Sequence, residues 1–331
     1  MVSRKTDERK AVRIDGIKTA SGPERPRKKF PWSVIGLTFA TTLVMVVFAW
    51  MIGTSLFIKR EDSVELVGEC PVLGGEVVNS RECLDGGAVK KMDFQDTVDN
   101  WVNSVGGKKG VIIYDLMRGE IAGEYDADEK FATASLYKLF VVYAGYMKVI
   151  SGEWEMDDVV NGTAYNVGQC LDLAIRESHS ECAEALWGMI GRDALDKIVQ
   201  DEWDLPNVEV GSLMATPREI MQIMLKFYQR EDFTENIALK MLDSFLNQPI
   251  TTYNWRQGLP SGFSDAVNVY NKVGWEYSPD VHGWLIYDDA AVVDFPDADR
   301  TFVIVVMTNG VDFNDVARFA GNFEQSFRQQ L

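Results

Sequence analysis

FATASLYKLFVVYAGYMKVI, residues 131–150, is the stretch on which the fold turns. From about Ser135 to Ile150 it is apolar nearly all round, so it predicts a helix buried in a sizeable core. Gly152 ends that helix. Lys138 is the exception, and a lysine is almost never fully buried without a partner. Ser135 and Lys138 stand three residues apart, which places them on one helix face. A serine hydroxyl is a weak nucleophile until a base lies within hydrogen-bond reach. A lysine desolvated by apolar neighbours has its pKa lowered and can be that base. Ser135 also stands at the helix start, where free N–H groups and the dipole favour developing negative charge. The bland alternative is an N-cap serine followed by a chance lysine.

Two other clusters could join this pair. Lys272-Val273-Gly274 falls at the end of an apolar strand. There a lysine attracts a substrate carboxylate, and a glycine lets substrate backbone approach the strand edge. Ser178-His179-Ser180 opens a helix. The ordinary alternatives are a solvated strand-end lysine and an N-cap.

Outward from the quoted stretch, helical spacing of Phe94, Val98, Trp101, Val102 and Val105 predicts a helix over 93–105. Strands follow at 110–116 and 120–125, joined by a tight turn at Arg118-Gly119. Residues 155–248 read as helical, with loops at 161–168, 201–216 and 230–235. Thr216-Pro217 starts one of these helices, Thr as cap and Pro in the first turn. Strand patterns return at 267–273, 282–295 and 301–309, and an amphipathic helix closes the chain near 312–329. Strand groups flanking a helical block predict an α+β domain. Its single antiparallel sheet is built from both ends of the domain, with the helical block packed beside it.

Residues 1–32 form a basic tail of net charge +6. Residues 33–58 carry no charge and exceed the roughly 20 apolar residues that a helix needs to span a bilayer. The positive-inside rule then predicts a single-pass protein of the cell membrane, its tail cytoplasmic and the remainder extracytoplasmic. A juxtamembrane segment (59–92) leads to one folded domain (93–331). The whole chain is −17; the basic tail together with Lys59 and Arg60 leaves −25 over residues 61–331. So acidic a surface argues against nucleic acid as a partner. An oxidising compartment permits two disulfides, and proximity favours Cys70–Cys83 and Cys170–Cys182. With two histidines and no CxxC, no metal site is expected. Neither a GxGxxG nor a P-loop is present, so no cofactor is expected.

Taken in order, SLYK (135–138), SHS (178–180) and KVG (272–274) resemble the SxxK, SDN and KTG set of class A β-lactamases and penicillin-binding proteins. The resemblance extends to FATASLYKLFVVYAGY (131–146), ESHSECAEALWGMIG (177–191), ATPREIMQIM (215–224), WRQGLPSG (255–262), HGWLIYDDAAVV (282–293) and TFVIVVMTNG (301–310). It covers about residues 93–331. It implies that Ser135 is the acylated nucleophile, Lys138 its base and Ser178 the donor to the leaving nitrogen, with Ser135 Oγ within about 3.5 Å of Lys138 Nζ. Lys272 would attract the substrate carboxylate, Ser180 and Gly274 would line the substrate, and the N–H groups of Ser135 and Trp275 would form the oxyanion hole. The implied substrate is a β-lactam or a peptidoglycan-like peptide.

The departures are specific. His179-Ser180 stand in place of Asp-Asn, and Ser180 is shorter than the Asn that holds the substrate amide. Val273 replaces a hydroxyl residue. The omega-loop Glu-x-x-Leu-Asn is absent; Glu202-Trp203-Asp204-Leu205-Pro206-Asn207 is nearest, with Asp204 the substitute base for deacylation. These departures keep open a catalytically degenerate domain that binds a cell-surface partner. A serine–histidine–aspartate triad using His179 or His282 lacks a recognisable motif such as GxSxG.

Overall fold

The structure, a computed structural model, describes residues 89–229, 233–248, 256–278 and 284–331. The basic tail, the apolar run 33–58, most of the juxtamembrane segment, the Cys70–Cys83 pair and His282 lie outside these residues. No helix among the described residues is long and apolar enough to cross a membrane.

In chain order the elements are α1 (Gln95–Ser104), β1 (Lys108–Asp115), β2 (Glu120–Tyr125), β3 (Phe131–Ala132), a 3-10 turn (Ala134–Leu136), α2 (Tyr137–Ile150), α3 (Val167–Arg176), α4 (Ser180–Ile190) and α5 (Arg192–Lys197). A π-turn (Ile198–Glu202) leads to β4 (Met214–Ala215), α6 (Pro217–Gln229), α7 (Glu235–Leu246), α8 (Leu259–Gly262), β5 (Asn268–Ser278), β6 (Trp284–Phe295), β7 (Arg300–Asn309) and α9 (Phe313–Gln330). Five strands form one antiparallel sheet in the order β2-β1-β7-β6-β5. The two ends of the domain therefore build it together, as the strand groups predict.

The continuous apolar run of β7 follows from burial on both faces. Val303, Val305 and Met307 join the core of the helical block. Phe302, Ile304 and Val306 alternate with them and face α1 and α9. On that second side aromatic side chains dominate: Phe295 stacks on Phe327 at 4.1 Å and Phe94 on Phe323 at 4.5 Å. α2 lies within the helical block, with Leu139, Phe140, Val141 and Val142 fully buried.

Three local readings change. Residues 155–160, expected to be helical, are turns continuous with the expected loop after them, and a bridge between Val159 and Asn166 closes the segment. Trp154, Met156 and Val160 pack on the core from a loop, which mimics helical spacing. The next helix starts at Val167, inside the expected loop 161–168, where Asn166 and Gln169 form a reciprocal capping box. The helix around Ser135 opens with a 3-10 turn, not an N-cap: Leu136 N–H donates to Thr133 O at 2.8 Å and Ala134 takes φ +38°. Finally, β5 continues to Ser278, so Lys272-Val273-Gly274 lies inside the strand and not at its end.

Candidate active site

β5 is an edge strand, and its free edge meets the Ser135 turn. Gly274 makes that meeting possible. A Cβ there would lie 2.5 Å from Thr133 O and 3.0 Å from Leu136 N. The space left by this glycine is thus filled by the chain's own turn, not by substrate backbone.

The phase of the ladder decides which backbone groups face outward. Tyr287, the partner of Trp275, donates its N–H to Thr308 Oγ1 (3.4 Å) and accepts that hydroxyl at its C=O (2.7 Å), so both groups point toward β7. Residues opposite one another in an antiparallel pair either exchange both bonds or both point away. Trp275 therefore presents its N–H and C=O to the free edge, beside the Ser135 turn. Val269, Asn271 and Val273 share this phase. Their carbonyls accept from Arg256 (3.4 Å), Gln248 and Lys272 (2.6 Å) respectively. Side chains thus cover the edge up to Val273.

The two lysines converge on one hydroxyl. Lys138, in the first turn of α2, is 1% exposed, and Lys272 is fully buried. Lys138 Nζ donates to Ser178 Oγ (3.2 Å), Ser180 Oγ (3.1 Å) and Ser178 O. Lys272 Nζ donates to Ser178 Oγ at 2.9 Å. A hydroxyl has two lone pairs and one proton. With both lone pairs taken, Ser178 keeps its O–H free to donate. Burial lowers Lys138 to a pKa of about 8, against the opposing charge of Glu184. Burial, then the charge of Lys138, pushes Lys272 well below the usual lysine range, and Asp289 opposes that shift.

Ser178 sits in the link between α3 and α4 with φ +53°, a strained conformation for a residue with a side chain. His179 is the N-cap of α4, and its Nδ1 accepts from Cys182 N–H at 3.2 Å. That nitrogen is committed to capping and not to a triad. The Cys170–Cys182 disulfide is formed and ties α3 to α4.

Other expectations come out differently. No hydrogen bond among the described residues joins Ser135 Oγ to Lys138 Nζ; Lys138 Nζ donates instead to two oxygens of Ser178 and to Ser180 Oγ at the start of α4. Val273 is fully buried in the core facing α9, so it offers the cleft nothing. Trp275 is half-buried on the same side. Asp204 is exposed at φ +57°, and its carboxylate makes no hydrogen bond or ion pair among the described residues. The loop around it is held by Glu219, whose buried carboxylate accepts from Asn207 N–H (2.6 Å), Thr216 N–H (3.2 Å) and Thr216 Oγ1 (2.9 Å).

Two groups escaped the sequence reading. Glu184 accepts the Tyr137 hydroxyl at 2.8 Å, pairs with Arg192, and its charge reaches Lys138. Its signal was available, since it stands one helical turn after Ser180. Asp289, buried behind Lys272, accepts from Asn271 Nδ2 and Leu259 N–H, both at 2.9 Å. Burial raises its pKa to about 7, opposed by these bonds and by Arg256 and Lys272. A separate cavity of about 610 Å³, lined by Asp157, Asp172, Arg176, Lys240 and Ser244 among others, includes none of the predicted site residues.

The profile of the Beta-lactamase enzyme family matches residues 93–322. The chain belongs to that family. Its fold is similar to that of PBP-A (19% identity, TM-score 0.61), over 73% of this chain and 99% of that one. An ancestral class A β-lactamase is 18% identical with a TM-score of 0.59, over 71% of this chain and 100% of that one. A β-lactamase from Chitinophaga pinensis is 15% identical with a TM-score of 0.59, over 70% and 98%. A search of curated proteins returned no significant match. Within the β-lactamase fold, the SxxK, SDN-like and KTG-like segments are the three that meet around Ser178.

Proposed function

We propose that this chain is a serine acyl-transfer hydrolase in which Ser135 attacks the carbonyl of a β-lactam or a peptidoglycan-type peptide. The observation that carries the reading is the Ser178 hydroxyl, held between Lys138 Nζ and Lys272 Nζ at 3.2 and 2.9 Å. Neutral Lys138 accepts the Ser135 proton. The N–H groups of Ser135 and Trp275 hold the developing oxyanion, worth about 3–4 kcal/mol per donor in such sites. Ser178 donates to the leaving nitrogen, and Lys272 supplies positive charge for a substrate carboxylate. Fluorescent penicillin added to the full chain should label Ser135, with no label on Ser135→Ala. A wild type that takes no label would sink the reading.

One observation favours a degenerate binding domain instead: Lys138 bonds the Ser178 link and not Ser135. Catalytic hydrogen bonds in unliganded sites are often long and tighten only with substrate, which keeps the enzyme reading ahead. The same labelling separates the two.

The uncharged run 33–58 after a basic tail supports a single-span membrane anchor with the catalytic domain outside the cytoplasm. Protease added to intact cells is expected to remove residues 61–331 and spare the tail. Protection of the C-terminal part would reverse the topology.

A further inference from the structure

The link between α3 and α4 contains only Glu177, Ser178 and His179. In it a residue with a side chain is held at φ +53° while its hydroxyl meets two buried lysines. Such strain persists only where the surroundings over-determine it. Three sets of contacts do so here. Glu177 N–H and His179 N–H both donate to Leu173 O at 3.0 Å, closing the end of α3. The His179 ring caps α4 and lies edge-on to Tyr165 at 5.6 Å. The disulfide joins the end of the first turn of α3 to the first turn of α4, both cysteines fully buried.

Of these contacts only the disulfide is covalent, and it joins the two helices that carry the link directly. Cys182 also supplies the N–H that His179 caps, so the bridge and the cap act on one turn. We propose that the Cys170–Cys182 disulfide is a positioning element that holds Ser178 in its left-handed conformation between Lys138 and Lys272. Without it the two helices can slide, Ser178 relaxes to negative φ, and its hydroxyl swings off the lysines. The catalytic consequence rests on the acyl-transfer reading above; the conformational one does not.

The test compares the full chain with C170A/C182A, which leaves no free thiol at either position. C170A/C182V, which refills buried volume, replaces it if the alanine pair does not fold. The second-order rate of penicillin labelling is expected to fall at least about tenfold while the circular dichroism spectrum is kept. Near-equivalence of the catalytic loss with that of S178A is the sharper readout. In an S178A background, removing the disulfide should change the rate less than about twofold. An unchanged rate in the double variant, or an undiminished tenfold loss on top of S178A, overturns the proposal. Hydrogen exchange needs no substrate and so decides the conformational part even if penicillin never reacts. Exchange at the amides of His179 and residue 182 should rise about tenfold, with those of α2 unchanged. Equal protection there would overturn the proposal and leave the acyl-transfer reading untouched; an unlabelled wild type would do the reverse.

Discussion

Replacing Lys138 with methionine is expected to slow acylation of Ser135 by roughly a thousandfold, within the 10²–10⁴ range typical of a lost general base. The substitution keeps the volume but leaves the Ser178 and Ser180 oxygens without their lysine donor, at a cost of about 1–3 kcal/mol. A variant that still melts above the assay temperature while its labelling collapses separates catalysis from folding. The pH dependence gives a second check. Only neutral lysine can take the serine proton, and burial sets Lys138 at about 8. Acylation of the intact chain should climb with pH up to about 8 and level off above it. The residual rate of K138M should lack that rise. Stopped-flow labelling from pH 6 to pH 9.5 would measure both. A K138M rate within tenfold of wild type would remove Lys138 from the role of base.

Much of this arrangement is legible in the sequence because it rests on patterns that burial imposes directly. Phe302 to Met307 reads as a strand, and the all-apolar helix after Lys138 reads as a core helix. The convergence of Ser178 with Lys138 and Lys272 is legible only through motif order. No periodicity relates a serine between two helices to a lysine on a sheet edge.

What stayed hidden depends on tertiary fit. Gly274 looks like a strand end because glycine usually punctuates strands, yet here it admits the Thr133 carbonyl. Arg256 and Gln248 cover the edge carbonyls of β5 through side-chain bonds to backbone, which leave no local pattern. Loop residues Met156 and Val160 mimic a helix face because their spacing is set by the core they meet. The positive φ of Ser178 depends on tertiary contacts around the link between α3 and α4, and nothing in Ser-His-Ser announces it.

A β-lactam acyl group on Ser135 is expected to persist, with release at least about a hundredfold slower than in an enzyme whose base is correctly placed. Acylation draws on groups already assembled: two buried lysines, a hydroxyl with a free proton and an outward-facing Trp275 N–H. Deacylation is a separate step, because a general base must activate water beside the ester. The family's omega-loop Glu has no match here, and Asp204 is the nearest substitute. It is exposed, on a loop pinned through Asn207 and Thr216 to Glu219 and not through its own carboxylate. Glu184 is the carboxylate whose charge reaches Lys138, yet the Tyr137 hydroxyl and Arg192 already occupy it. Among the described residues no carboxylate is hydrogen-bonded into the group of Ser135, Lys138 and Ser178, so the domain should trap penicillin as a penicillin-binding peptidase does. Intact-mass measurements through the reaction decide the matter. A penicilloyl adduct that accumulates and is still present minutes after free drug is removed supports the expectation. Rapid hydrolysis that disappears in Asp204→Asn would instead show the exposed loop closing over the ester and delivering a working base.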